Sequence, residues 1–185
     1  MASRRDWLQT GLTVLAQDGA RALTIERLCA ELDLTKGSFY HHFKGIAGFK
    51  TDLLAHFEAE HTSQFIAGAE SAGAPALSRL RRLLDLVLDD KSDGDELEIA
   101  IRAWALQDGE VRALQERVDR LRTDYLRTLW RELDGPEADT APMARLLYLI
   151  LVGAQQVVPP LSAPELRAVY GLAMRLAPHD WEDGP

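Results

Sequence analysis

The stretch TIERLCAELDLTKGSFYHHF, Thr24 to Phe43, decides the fold. Ile25, Leu28, Cys29 and Leu32 recur at helical spacing and line one side of a short helix, with Thr24 placed as its N-cap. Asp33 and Leu34 leave room only for a tight connection, and Thr35 is a second N-cap that opens a helix burying Phe39 and Phe43. Two short helices joined so closely must cross steeply, which is a helix-turn-helix. On the second helix Lys36, Gly37, Ser38, Tyr40, His41 and His42 avoid the buried face and crowd towards the N-terminus. That is the end a recognition helix presents to base edges and phosphates.

Upstream, Ser3 and Asp6 form a capping pair for an amphipathic helix carrying Trp7, Leu8, Leu12, Val14 and Leu15, which ends at Gly19. It supplies the third partner that a bare helix-turn-helix needs to bury enough surface. Downstream, Leu53, Leu54, Phe57, Phe65 and Ile66 mark a long fourth helix running to breakers at Gly68, Gly73 and Pro75. A stripe from Leu77 to Leu88 follows, closed by a solvated acidic turn over Asp89 to Asp95. Glu96 to Leu106 reads as a further helix. Val111, Leu114, Val118, Leu121, Tyr125, Leu129 and Leu133 then step by three and four along the clearest helix of the chain, with Arg112, Arg117, Arg120, Arg122, Arg127 and Arg131 on its solvated faces. Asp134-Gly135-Pro136 breaks it. Thr140 is placed to cap the next helix, with Pro142 in its first turn, and its run Leu146 to Val152 is apolar on every side. Ser162 and Glu165 form a capping box for the last helix, which carries Leu166, Val169, Tyr170, Leu172, Ala173 and Leu176.

The net charge of -8 disfavours a DNA-binding role until it is divided along the chain. Residues 1 to 52 hold seven Lys/Arg against six Asp/Glu, a net of +1, so the remainder carries -9. A local basic rim around the motif therefore has to supply any phosphate contacts. The single cysteine, Cys29, belongs to an apolar helix face, and with no partner for a disulfide the chain fits a reducing cytoplasm. The apolar run Leu146 to Val152 is far short of the ~20 residues a membrane span requires, so no membrane partner is expected. His56, Glu60 and His61 share the fourth helix, but no second His/Glu pair or cysteine cluster accompanies them; no metal and no cofactor is expected. Gly-rich phosphate loops, a nucleophile elbow and paired catalytic carboxylates are missing from the sequence, which argues against an enzyme.

The run Leu23-Thr24-Ile25 through Lys36-Gly37-Ser38-Phe39-Tyr40-His41-His42-Phe43-Lys44 resembles the TetR family of one-component transcriptional regulators. The match covers roughly the first 55 residues; beyond them the likeness lies in architecture alone. One departure stands out. The family usually has a lysine at the start of the fourth helix, where it meets a phosphate, and this chain has Ile46, leaving Lys44 or Lys50 for that task. The resemblance implies an all-α chain of about nine helices, with a three-helix DNA-binding head over residues 1–46 and a helical ligand-binding and dimerisation domain over residues 47–185.

It also implies a DNA-binding regulator, most simply a repressor released from its operator by a small-molecule inducer. A helical adaptor that has lost DNA binding is the alternative, kept open by Ile46. The candidate DNA-binding residues are Thr24, Thr35, Lys36, Gly37, Ser38, Tyr40, His41, His42 and Lys44. Among them Lys36, Ser38 and His41 are placed for base edges, and Tyr40, His42, Lys44 and Thr24 for the backbone. Phe65, Trp104 and Tyr125 lie on helices that the family places around a ligand cavity, and they suit a hydrophobic inducer, though core packing explains them equally. In the family the last two long helices form a four-helix bundle across a dimer axis. The corresponding surface here is Leu146, Leu149, Val152, Gly153, Leu166, Val169, Tyr170 and Leu172, which makes a homodimer the expected form.

Overall fold

The structure is a computed structural model that describes residues 2–71, 73, 75–89, 94–133 and 137–175. Every regular element among them is helical. In order these are α1 (Arg4–Asp18), a 3₁₀ turn (Ala20–Ala22), α2 (Ile25–Leu32), α3 (Lys36–His42), α4 (Ile46–Glu58), α5 (Gln64–Glu70), α6 (Ala76–Asp89), α7 (Gly94–Ala105), α8 (Gly109–Glu132), α9 (Glu137–Gln156) and α10 (Ala163–Met174). A π-helical turn, Ala59–Ser63, carries α4 directly into α5, so the two read as one long helix and the described residues hold nine in all. Asp90 to Asp93 of the expected acidic turn, the break at Asp134 to Pro136, and Leu176 lie outside the described residues.

The chain folds into two compact units, Met1–His61 with Ser92–Arg117, and Thr62–Lys91 with Val118–Pro185. The unit holding the motif takes in α4, α7 and the start of α8 as well as α1 to α3.

In the first unit, α1 starts as the sequence requires. Ser3 Oγ accepts from the Asp6 N–H, the Ser3 N–H donates to the Asp6 carboxylate, and the helix stops at Gly19 with φ 77°. It packs on α2, α4 and α7. Trp7, Leu12, Leu15, Leu28, Phe39, Phe43, Phe49, Leu53, Phe57, Leu97 and Ile101 are buried, which is the unit's core. The approach of α1 to α4 is set by Gly11, where an added Cβ would come within 2.6 Å of Phe49 Cζ and 3.0 Å of Leu53 Cδ1.

The second unit packs α5 on α6 and α9 on α10. Its core joins Ala76 and Leu80 of α6, Leu126, Leu129 and Trp130 of α8, Ala144, Leu147 and Tyr148 of α9, and Met174 of α10. Three expectations are corrected here. Gly68 is not a breaker: it lies inside α5, where a Cβ would meet Leu86 Cδ1 of α6 at 2.8 Å, so its lack of a side chain serves packing. Thr140 is not an N-cap but a buried residue one turn inside α9, which begins at Glu137 and contains Pro142. Leu121 is exposed, because the buried face of α8 moves on past Val118 to Leu126, Leu129 and Trp130. The α8 arginines are only partly solvated: Arg112 donates to the Ala105 and Leu106 carbonyls, Arg117 is bidentate on Glu58, and Arg122 donates to Thr62 Oγ1 and to the Tyr148 hydroxyl.

Gly11→Ala tests the helix contact. Ala gains up to about 1 kcal/mol of helix propensity, but Phe49 is enclosed by Phe39 and Phe43 and has no room to turn aside. Overpacking of about 1–3 kcal/mol should therefore win. The expected result is a lower denaturation midpoint at unchanged m-value; a variant as stable as the parent would mean that α1 and α4 have slack.

Candidate nucleic-acid interface

The motif is built by three local devices. Thr24 Oγ1 accepts from the Arg27 N–H at 3.1 Å and so opens α2. Asp33 then takes a left-handed conformation, φ 52°, and turns the chain within a single residue. Thr35 Oγ1 accepts from the Ser38 N–H at 3.3 Å and opens α3. Both threonines, candidate DNA-binding residues of which Thr24 is expected near a phosphate, are exposed N-caps, so their first task is structural.

A helix of seven residues is too short to hold itself. Phe39 anchors it. Its ring is fully buried, 5.5 Å from Trp7 of α1 in an edge-to-face contact, 5.6 Å from Phe49 of α4 and 5.2 Å from Phe43. With Phe39 inward, Lys36, Gly37, Tyr40 and His41 are exposed, and Ser38 and His42 are half-buried. Tyr40 is 58% exposed, far more than an aromatic residue in a packed surface needs. The His41 and His42 rings meet edge to face at 5.1 Å. Lys44 is exposed just after α3, and Ile46 is exposed at the start of α4, whose N-cap, Gly45, supplies no side-chain bond.

The charges around this surface are largely satisfied within the protein. Arg4 pairs with Asp52 and lies over the Phe43 ring; Arg5 bonds Glu60 at 3.3 Å. Arg27 bridges Asp18 and Glu31, and Lys36 pairs with Glu26. Lys50 is held by Asp108 at 2.7 Å and Glu110 at 2.9 Å, and its ammonium faces the Trp104 ring at 5.5 Å. Burial works to lower the Lys50 pKa, but the bonds to Asp108 and Glu110 outweigh it and raise it. Of the seven head cations, Arg21 and Lys44 alone have no carboxylate partner among the described residues. Of the two residues expected to stand in for the lysine missing at position 46, Lys50 is thus engaged within the protein, while Lys44 is exposed. Sequence reasoning missed Lys50's partners because they lie 58 and 60 residues away, at the start of α8.

The other candidate residues are dispersed. Trp104 belongs to the first unit, where with Ala20, Leu23, Ile46, Ala47, Phe49 and Lys50 it lines a cavity of about 130 Å³. Phe65 and Tyr125 belong to the second unit, and the Tyr125 hydroxyl donates to Glu70 at 2.7 Å. On α9 and α10, Leu146, Leu149, Gly153 and Leu172 are exposed, whereas Leu166 is buried within the unit. Val152 and Tyr170 pack against its core, Val169 is half-buried, and the Tyr170 hydroxyl donates to the Leu147 carbonyl at 3.0 Å. Burial pushes the Tyr170 phenol well above its ordinary pKa. His56 Nδ1 is 4.0 Å from Glu60, and the His61 ring stacks on Phe57. No group of three or more His, Cys, Asp or Glu gathers for a metal among the described residues, and no helix among them is long and apolar enough to cross a membrane.

A capped, aromatic-anchored helix-turn-helix with its polar face open is the arrangement that helix-turn-helix proteins present to the major groove. Residues 8–55 match the family of bacterial regulatory proteins, tetR family. No curated protein matches the sequence. Among solved structures, a TetR-family regulator from Rhodococcus sp. is 19% identical, with a TM-score of 0.77 over 95% of this chain and 99% of that one. The reduced form of E. coli NemR is likewise 19% identical, with a TM-score of 0.79 over 95% and 99%. A transcriptional regulator from Saccharomonospora viridis, solved in complex with choline, gives 0.75 at 19% identity over 93% and 95%. The chain thus carries a tetR-family match over residues 8–55, and its fold is similar to those of the TetR-family regulators.

Lys50→Ala separates a structural cation from a phosphate contact. Asp108 and Glu110 are both held below their ordinary pKa, first by the bond from Lys50. A depressed carboxylate contributes stability that is complete at neutral pH and is lost as pH falls through the depressed value. The variant should therefore melt earlier at pH 7 and lose stability less steeply in acid, with the salt dependence of DNA binding unchanged. A salt slope shallower by about one unit would make Lys50 a phosphate contact instead.

Proposed function

We propose that the protein is a ligand-responsive repressor that binds a palindromic operator as a homodimer, one α3 helix to each half-site. The observation that carries this reading is the open polar face of α3, with Lys36 and His41 exposed beside a 58% exposed Tyr40 on a helix fixed by Phe39. The proposed base contacts are Lys36, Ser38 and His41, with Gly37 allowing close approach. The proposed backbone contacts are Thr24, Thr35, Tyr40, His42 and Lys44.

The dimer surface is read from α9 and α10. Leu149 and Leu172 are 57% and 60% exposed, Leu146 is 38% exposed, and a Cβ at Gly153 would meet nothing, so two copies can approach closely there. The inducer is read from the aromatic residues Phe65, Trp104 and Tyr125 and, by analogy, from the choline bound to the Saccharomonospora viridis regulator.

Lys44→Ala should weaken binding to all duplexes alike and make the salt slope shallower by about one unit. Measured by fluorescence anisotropy across a salt series, unchanged binding would remove Lys44 from the interface. Leu149→Arg should turn a species of twice the chain mass into monomers or aggregates on light scattering. A parent protein that is monomeric at micromolar concentration would sink the dimeric repressor.

A further inference from the structure

We propose that Glu26 is a specificity-determining residue of the DNA-binding surface: it holds Lys36 out of the non-specific phosphate-binding pool and releases it only to a base pair that satisfies both side chains. This rests on the reading of α3 as the recognition helix. Glu26 lies in the first turn of α2 and Lys36 is the first residue of α3, and their ion pair spans the turn at Asp33. Both side chains are open to solvent, 67% and 58% exposed, on the side where the two helices begin. An exposed pair of this kind is weak and exchanges readily. The carboxylate is favoured as the anion, lowered first by the Lys36 bond, and Lys36 is raised by the same bond.

On a non-cognate duplex, moving Lys36 to a phosphate would leave the Glu26 carboxylate unpaired beside a polyanion. The pair therefore competes with the phosphate for Lys36, and Lys36 contributes less to counterion release there. At a G·C step both partners find an exchange. Lys36 Nζ donates to guanine O6 and N7, and the Glu26 carboxylate accepts from a cytosine N4 amino group in the major groove. No other head carboxylate is joined to the recognition helix by an ion pair among the described residues.

The test uses the full chain with two duplexes of equal length, one enriched from a random library and one unselected, titrated across a salt series. Glu26→Gln should tighten binding to the unselected duplex by roughly three- to tenfold at low salt and steepen its salt slope by about one unit. Binding to the enriched duplex should gain less or fall, so the specificity ratio drops. In a Lys36→Gln background the same change should have no effect on the unselected duplex. Unchanged binding of Glu26→Gln to the unselected duplex overturns the proposal. So does an equal gain with and without Lys36, which would make Glu26 a simple repulsive charge. If the parent protein binds neither duplex, the DNA-binding reading itself fails and takes this proposal with it.

Discussion

The head depends on one side chain, Phe39. Nucleating a helix is costly, and the seven residues of α3 offset little of that cost with their own hydrogen bonds, so the conformation has to be supplied from outside. Phe39 does this by entering a ring cluster with Trp7, Phe43 and Phe49, drawn from α1, the end of α3 and α4. Since Trp7 and Phe49 are themselves fully buried, the cluster cannot relax to accept a different register of α3. The direction of every polar residue on that helix follows. A shift of one residue that turned Tyr40 inward would move His41 to the place Tyr40 now holds and His42 to that of His41, changing the side chain at every open position.

A similar constraint governs charge. On the proposed DNA-binding role, an acidic protein gains from keeping its head cations off unselected duplex, and here most of them are tied to carboxylates of their own unit. These pairs are mostly exposed and individually weak, so they add little to folding. Their effect lies in what they leave over: Lys44 and Arg21 without a carboxylate partner among the described residues, and Lys36 in a pair that sits on the face presented by α3. Lys50 shows the opposite extreme, being one-fifth exposed, tied to two carboxylates and set over Trp104.

The local parts of the structure were legible in the sequence because they depend on neighbours a few residues apart. The caps at Ser3, Thr24, Thr35 and Ser162, the tight turn at Asp33 and the inward Phe39 all follow from such spacing. What could not be read is what depends on distant partners. Gly68 has the signature of a breaker until Leu86 is packed against it, and Thr140 looks like an N-cap until the preceding turn proves helical. Leu121 fits the stripe of α8, yet one helix serving two units changes its buried face along its length. The π-helical turn at Ala59–Ser63 leaves no mark in a 3.6-residue pattern. At the candidate site, the type of residue on α3 was legible, while the pairing that decides which cations remain available was not.

The two surfaces left over once internal demands are met bear on each other. On the proposed role, a head with so few uncommitted cations would neutralise only a handful of phosphates, each contributing only about 0.9 to the salt exponent. One such head would bind duplex DNA weakly at physiological salt. Two heads joined in one dimer would not, because the second contact becomes intramolecular and the affinities multiply at an effective concentration set by geometry. That arrangement calls for a self-complementary surface elsewhere on the chain, and Leu146, Leu149 and Leu172 are apolar side chains left exposed on α9 and α10. A two-fold assembly would bury such side chains against their own copy. Weak heads also suit regulation: when each contributes little, a change in their spacing costs the second contact and with it most of the affinity, without any change to α3 itself.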